Sequence, residues 1–448
     1  MVSIMTERGL ACHNLKIHIL GLGVHQEALL DPKAQMALLE ADCVLGSERQ
    51  LETVARFTAD AQVTLLPSLK NLLQVISDLV KEGVQSLVIL ASGDPLYFGI
   101  GRWFRQRFNL SQLHFYPAIS SIQVACHVLG LSLQDTTVIS LHGRPLLNIR
   151  RYLQPNRTLV ILTDALSNPF AIAQECHGAG LDQSLITVCE NLGYDSQRIR
   201  SFSINELVDW PLKESIPAAQ KPENLDFSPL NVVVLETSSQ QSFFPSSIGI
   251  EDDQFITDKV QGKGMITKRD VRVAILSYLQ VDVNDTVWDI GAGCGGVAVE
   301  ISYWNTTACL YAIEHHTERL ACLQSNKERF GVSNMTIVPA RAPDGLVALP
   351  DPNKVFIGGS DGVLSEVLTI SWRRLPTNGI LVATAVTENS KRILLDFAQR
   401  IRSYQASESE WQGDALSVQL SIAKEETLAN HCVYRPSLPV TLFKFSKR

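Results

Sequence analysis

Residues Asp289-Ile290-Gly291-Ala292-Gly293-Cys294-Gly295-Gly296 set an acid two positions ahead of four closely spaced glycines. Glycine lets a chain turn tightly after a strand and lets backbone N–H groups come close to a ligand. Twenty-five residues beyond Asp289, Glu314 ends the next apolar run. In a parallel sheet it shares an edge with the glycine turn, where its carboxylate can accept both hydroxyls of a ribose. A carboxylate beside the turn would repel a pyrophosphate but tolerates a sulfonium. The pattern therefore predicts S-adenosylmethionine ahead of a dinucleotide, with a purely structural turn as the third reading. The expected cofactor contacts are Asp289, Gly291, Gly293, Gly295, Gly296 and Glu314.

Upstream, Lys259, Lys263, Lys268, Arg269 and Arg272 stand against the single acid Asp270 within residues 259–272. Such a stretch is either a solvated face or a grip for an anionic substrate, since Arg and Lys pair well with carboxylates. Gly262 and Gly264 would let it close as a lid. In the N-terminal half, Gly93-Asp94-Pro95 makes a tight turn after an apolar run, and Ser120 and Ser121 open a helical stretch. Hydroxyls at a helix start either cap it or bind a ligand. Ser140-Leu141-His142-Gly143-Arg144 places an imidazole and a guanidinium after another strand-like run.

The elements that must hold these residues are legible as a rhythm. Leu15–Leu20 alternates like a strand and runs into Gly21-Leu22-Gly23, and Asp31-Pro32 is suited to cap and open a helix. The apolar runs at 87–90, 158–162 and 231–235 read as strands buried on both faces. Beyond residue 251, strand-like runs at 286–288, 310–313, 335–338, 354–357 and 379–383 alternate with helix-length segments, one of them from Thr317 to Arg329. That is the βαβ succession of a doubly wound, Rossmann-like sheet. An α/β protein of two domains is expected, 14–238 and 251–448, with the Ser-rich stretch 239–250 as linker. Residues 206–229, rich in proline, read as a surface excursion.

Bulk properties exclude several classes. The chain has 448 residues, more than one ordinary core accommodates. It carries 39 Lys and Arg against 46 Asp and Glu, a formal charge of −7, which is not the basic footprint of a nucleic-acid binder. Nine scattered cysteines, none at CxxC spacing, suggest neither a disulfide framework nor a metal site. No stretch has the apolar length of a membrane span, and the first residues make a poor signal peptide. A cytoplasmic protein that binds no membrane, nucleic acid or metal is expected.

Taken in order, the motifs GLG at 21–23, GDPLYFGIG at 93–101, YPAISSIQVA at 116–125, SLHGR at 140–144, LTD at 162–164 and CENLG at 189–193 closely resemble the two-lobed tetrapyrrole (corrin and porphyrin) methylase family. Within it they look like the branch that methylates C5 in cobalamin biosynthesis. GMITKRDVR at 264–272, DIGAGCGG at 289–296, AIEHH at 312–316, Ala342-Pro343 and IGGSDG at 357–362 resemble its C15-methylating, decarboxylating partner, a class I methyltransferase. The resemblance implies a bifunctional methyltransferase with one S-adenosylmethionine per domain. Its substrate would be a precorrin-6 type tetrapyrrole that loses the ring C acetate carboxyl. A homo-oligomer is implied as well. It also implies that Gly21, Gly23, Gly93, Asp94, Ser120, Ser121 and Thr163 surround the first cofactor. Substrate contacts would come from His142, Arg144, Lys268, Arg269, Arg272, Gly358 and Gly359; it designates no catalytic acid or base. After Gly23 this chain has Val24, where relatives usually have proline. After the strand at 335–338 it has Arg341, where many class I enzymes place an acid near the adenine. An RNA methylase of the same N-terminal family and a non-catalytic cofactor-binding scaffold are the alternatives.

Overall fold

The computed structural model describes residues 15–58, 61–209, 226–259, 264–402, 411–428 and 431–448. Gly262 and Lys263 of the basic segment, and most of the proline-rich excursion, lie outside them. The described residues form two compact units, one within 1–146 and 155–241, the other within 147–154 and 242–448.

The first unit holds two five-stranded sheets. Strands β1 (Lys16–Gly21), β2 (Cys43–Gly46), β3 (Gln62–Leu65), β4 (Ser86–Ala91) and β5 (Leu113–Tyr116) make the first, all parallel, in the order β3-β2-β4-β1-β5. The apolar runs in β1 and β4 are continuous because both faces are covered. Ile17, Ile19, Leu87 and Ile89 enter one core, whereas Leu20, Val88 and Leu90 enter another beneath the helix Pro32–Leu39. Asp31 caps that helix by accepting the Lys33 and Ala34 amides at 2.7 and 3.0 Å. Strands β6 (Thr137–Ser140), β7 (Thr158–Leu162), β8 (Leu185–Glu190), β9 (Arg198–Ser203) and β10 (Asn231–Glu236) form the second sheet in the order β6-β7-β10-β8-β9. Here only the β6–β7 pair is parallel.

The second unit is built on a seven-stranded sheet, β13-β12-β11-β14-β15-β19-β16. Its members are β11 (Thr286–Ile290), β12 (Cys309–Glu314), β13 (Met335–Pro339), β14 (Lys354–Ile357), β15 (Ile380–Ala385), β16 (Gly413–Leu420) and β19 (Val440–Lys447). Between β16 and β19 the chain makes a separate hairpin, β17 (Ala423–Leu428) with β18 (His431–Pro436). Strands β11 to β15 are parallel and β19 and β16 antiparallel. Successive residues enter opposite cores: Val287 packs on one face, Trp288 and Ile290 on the other. The helix read from sequence at Thr317–Arg329 has those bounds in the structure. No helix among the described residues is long and apolar enough to cross a membrane.

The Ser-rich stretch read as a linker is in part core. Phe244 and Ile250 are buried, and the amides of Gly249 and Ile250 donate to the Glu300 carboxylate at 2.9 and 3.0 Å. Its few apolar residues outweigh the polar composition around them, because burying each large side chain is worth about 1.5–3 kcal/mol.

Candidate functional sites

In the first unit the chain segments that follow β1, β4 and β6 surround a cavity of about 360 Å³, together with the ends of β7 and β8 and the start of β10. Gly23, Gly93, Ser120, Ser121, His142, Arg144 and Thr163 all line it, although they come from segments up to 140 residues apart. Gly21 and Asp94 do not. A Cβ on Gly21 would stand 2.3 Å from the Gly93 carbonyl oxygen, so that glycine lets two strand-end turns lie against each other. The Asp94 carboxylate accepts the Leu96 and Tyr97 amides at 2.7 and 3.0 Å and holds the turn rather than the cavity wall.

Both serines line the cavity, and one of them also caps a helix. Ser120 Oγ caps the helix Ser121–Leu129, accepting the Gln123 amide at 3.3 Å, while Gln123 Oε1 accepts the Ser120 amide at 2.8 Å. Ser121 has no part in this reciprocal cap and borders the cavity. His142 Nδ1 lies 3.2 Å from the Thr163 carbonyl oxygen, a contact that makes Nδ1 the protonated nitrogen. Thr163 Oγ1 donates to Asn231 Oδ1 at 2.8 Å. Burial pushes the Cys189 thiol in the cavity wall up to about 11. Arg49, Tyr194 and Asn231 also line the cavity and were not singled out from sequence. Arg49 follows a strand end, as most of the recognised motifs do, and that position was its one legible signal.

In the second unit a cavity of about 150 Å³ opens at the carboxyl ends of β11, β12, β13 and β14. Gly291, Gly293, Glu314, Gly358 and Gly359 line it. A Cβ on Gly291, whose φ is +74°, would meet the Gly359 backbone at 2.6–2.8 Å, and one on Gly293 would meet the Met265 carbonyl oxygen at 2.4 Å. Those positions require glycine because two backbones pass there. Gly295 and Gly296 serve packing instead: a Cβ would meet Leu323 at 2.3 Å and Ile266 at 2.7 Å respectively. The Glu314 carboxylate is buried and accepts the amides of Gly293, His315 and His316 at 2.9, 2.8 and 2.9 Å. It is thereby fixed at the cavity edge, with lone pairs left for a hydroxyl-bearing ligand.

Asp289 lies inside β11 and is fully buried, not on the cavity wall. Burial pushes its carboxyl up to about 7, the Ala298 amide opposing the shift and the charge on Glu314 adding to it. The expectation that Arg272 grips substrate is overturned by its surroundings. Its side chain is fully buried, Nε pairing with Glu300 at 2.6 Å and Nη1 with Asp252 at 3.0 Å, while other N–H groups donate to the Thr267 and Ile250 carbonyls. A guanidinium desolvated to this degree is held by internal carboxylates, not presented to a ligand. Arg269 pairs with Glu251 at 2.5 Å, and Lys268 is exposed at the start of the helix Arg269–Leu279; neither lines the cavity.

Arg341, where an acid is usual, does line the cavity, and an acid from another loop lies against it. Asp361, beyond β14, pairs with Arg341 at 3.4 Å and with His315 Nε2 at 2.8 Å, and all three border the cavity. Arg319 on the wall is paired with Asp258 at 3.4 Å. The Met265 amide first, then Arg319 and Cys294, hold the Asp258 carboxyl below the usual carboxylate range.

Residues 16–208 match the model of the tetrapyrrole (corrin/porphyrin) methylases, and residues 258–447 match that of the precorrin methyltransferase domain. A precorrin-6Y C(5,15)-methyltransferase (decarboxylating) of Sinorhizobium sp is 32% identical over 96% of this chain and 96% of its own length. A cobalt-precorrin-7 C(5)-methyltransferase of Salmonella typhimurium is 32% identical over 42% of this chain and 90% of its own. A probable cobalt-precorrin-6B C(15)-methyltransferase (decarboxylating) of Methanothermobacter thermautotrophicus is 33% identical over 32% of this chain and 72% of its own. Methyltransferases of this kind use S-adenosylmethionine, and Glu314 with the glycine cradle around it suits the ribose and backbone approach of such a ligand. With two family models matched in succession and a relative aligned along nearly its whole length, this chain belongs to the family of precorrin-6Y C5,15-methyltransferases (decarboxylating).

Proposed function

We propose that this chain methylates C5 and C15 of a precorrin-6 type tetrapyrrole and removes the ring C acetate carboxyl as carbon dioxide, binding one S-adenosylmethionine in each unit. The observation that supports the reading is the presence of two separate cavities at strand ends, the first lined mainly and the second wholly by residues within the span of a different methyltransferase family model. S-adenosylmethionine supplies the electrophilic methyl carbon. In the second unit Glu314 would hold its ribose hydroxyls, Gly291 and Gly293 would border the chain bearing the sulfonium, and His315, Arg341 and Asp361 would border the adenine end. In the first, Gly23, Gly93, Ser121 and Thr163 surround the cofactor, and His142 and Arg144 face the macrocycle.

The meso carbons of such a macrocycle lie in enamine-like conjugation and are already nucleophilic. The protein must hold carbon and methyl in line and exclude water, which supplies much of the rate by proximity alone. A covalent nucleophile is not needed, in keeping with a Cys189 thiol that stays protonated near neutral pH. Decarboxylation at the second site leaves an electron pair that the conjugated ring accepts. Lys268 is positioned to meet a peripheral carboxylate, and the assembly is a homo-oligomer. Calorimetric titration of the full chain with S-adenosylmethionine should give two sites. Mass spectrometry of the product should show two added methyl groups and one lost carbon dioxide. A single cofactor site, or a product carrying one methyl, would overturn the two-site reading.

A further inference from the structure

The cavity of the first unit is lined by Arg49, Arg144 and His142 and by no carboxylate, in a chain where acids outnumber bases 46 to 39. The two guanidinium groups reach across it in opposite directions. Arg49 begins just beyond β2, on the side of the first sheet. Its Nη1 donates to the Tyr194 hydroxyl at 3.0 Å, and Tyr194 follows β8 of the second sheet. Its Nη2 donates to Ser92 Oγ at 2.9 Å, a hydroxyl that Gln50 Nε2 also contacts at 3.0 Å. Arg144 follows β6 of the second sheet; its Nη1 donates to the Ser140 carbonyl at 3.5 Å, and its guanidinium lies 6.0 Å from the ring centre of Phe98, which follows β4 of the first. Among the described residues neither arginine has a carboxylate partner, unlike Arg319 and Arg341 beside the other cavity.

A phenol, a hydroxyl, a ring face and one long bond to a carbonyl are weak counterparts for a guanidinium, whose planar fork matches a carboxylate. Tyr194 and Ser92 hold the Arg49 fork over the cavity, so little of its side-chain freedom remains to be lost when an anion arrives. We infer that Arg49 and Arg144 form a two-point carboxylate clamp, one from each lip of the cavity, that makes the first site specific for a macrocycle with acid groups on two of its edges. Arg49 is thereby a substrate-binding residue of the C5 step. The inference rests on assigning that step to the first unit. A polyanion displaces Tyr194 and Ser92 from the Arg49 fork and bonds to it directly, and Arg144 meets a second acid group on the opposite edge.

The test uses the full-length chain and its Arg49→Ala, Arg49→Lys and Arg144→Ala variants, with two readouts. The first is equilibrium binding of an octacarboxylate porphyrin and of its octamethyl ester. The second is turnover at C5 and at C15, followed separately by mass spectrometry. Each Ala variant should bind the acid porphyrin roughly 10- to 100-fold more weakly, the range for losing a charged hydrogen bond. Both should bind the ester as the unmodified chain does, and Arg49→Lys should recover part of the loss. The KM for the tetrapyrrole should rise in the C5 step while that of the C15 step and the affinity for S-adenosylmethionine stay unchanged. Unaltered porphyrin binding, or equal losses for acid and ester, would overturn the clamp. An unmodified chain that methylates C15 but never C5 would instead overturn the assignment of the first unit, and the binding arm would still decide the clamp.

Discussion

The two cavities of this chain differ in their electrostatics. In the first unit, two sheets of different topology supply hydroxyls, an imidazole and two guanidiniums without a carboxylate in the wall. In the second, the parallel part of one sheet supplies a glycine turn and a buried carboxylate, and the nearby guanidiniums are each answered by an acid: Arg319 by Asp258 and Arg341 by Asp361. The sulfonium nucleoside proposed for both sites would therefore not require one arrangement of charge. The first site leaves its cations open toward an anionic partner, whereas the second spends them on its own loops.

This contrast can be broken at several points. The largest effect is expected from Arg272→Ala, which leaves the Glu300 carboxylate buried without its ion pair. A loss of about 3–5 kcal/mol is expected for such a break. Calorimetry should find it in the second unit, with C5 methylation retained at temperatures where that unit still folds. A result below about 1 kcal/mol would mean that Arg272 is not the internal tie its contacts describe.

Gly291→Val comes next. The new side chain would sit against the Gly359 backbone at a φ of +74°, forcing the loops after β11 and β14 apart. Displacements of that size cost about 100-fold in rate when they misplace reacting groups. C15 methylation should fall by that order while C5 methylation continues. Equal losses at both carbons would erase the distinction between the sites.

Glu314→Gln keeps the shape but removes the charge that three amides address. One of two S-adenosylmethionine affinities should weaken, by roughly 10-fold for the loss of a charge-assisted bond. Calorimetric titration that shows both sites intact would move the ribose away from Glu314.

The remaining test concerns Asp289. Its carboxyl is raised from 3.8 to about 7 in the folded chain, so the folded state holds that proton more tightly than the unfolded one. The stability it contributes is complete below pH 3.8 and is lost as pH rises through about 7. Thermal melts of the second unit between pH 4 and 8 should show that decline, and Asp289→Asn, neutral throughout, should flatten it. A decline of equal slope in both proteins would place its origin elsewhere.

Much of the architecture was legible because local pattern and tertiary environment agree. The apolar runs at 158–162 and 231–235 are strands, and Thr317–Arg329 is a helix with the predicted bounds. Sheets covered on both faces leave such runs uninterrupted. Glu314 could be placed at the edge of the glycine turn from spacing alone, since parallel strands joined by helices bring their carboxyl ends together. The errors share a different cause. Arg272 looked like a surface cation because its neighbours in sequence are cations, whereas its partners Glu300 and Asp252 lie 28 and 20 positions away. The stretch 239–250 looked like a linker because serine dominates it, and the burial of Phe244 and Ile250 depends on what the fold brings beside them.

What the sequence determined by itself is therefore the order of elements, the residue types at the strand ends and the family to which two successive motif sets belong. Those depend on periodicity and on contacts short in sequence, which a linear reading retains. Only the tertiary structure decided which charges are open and which are answered. It set Arg49 beside Tyr194, 145 residues on, and Arg341 beside Asp361, and it sealed Asp289 away from solvent. Charge pairing and desolvation act through space over a few ångströms, and separation along the chain carries no record of that distance.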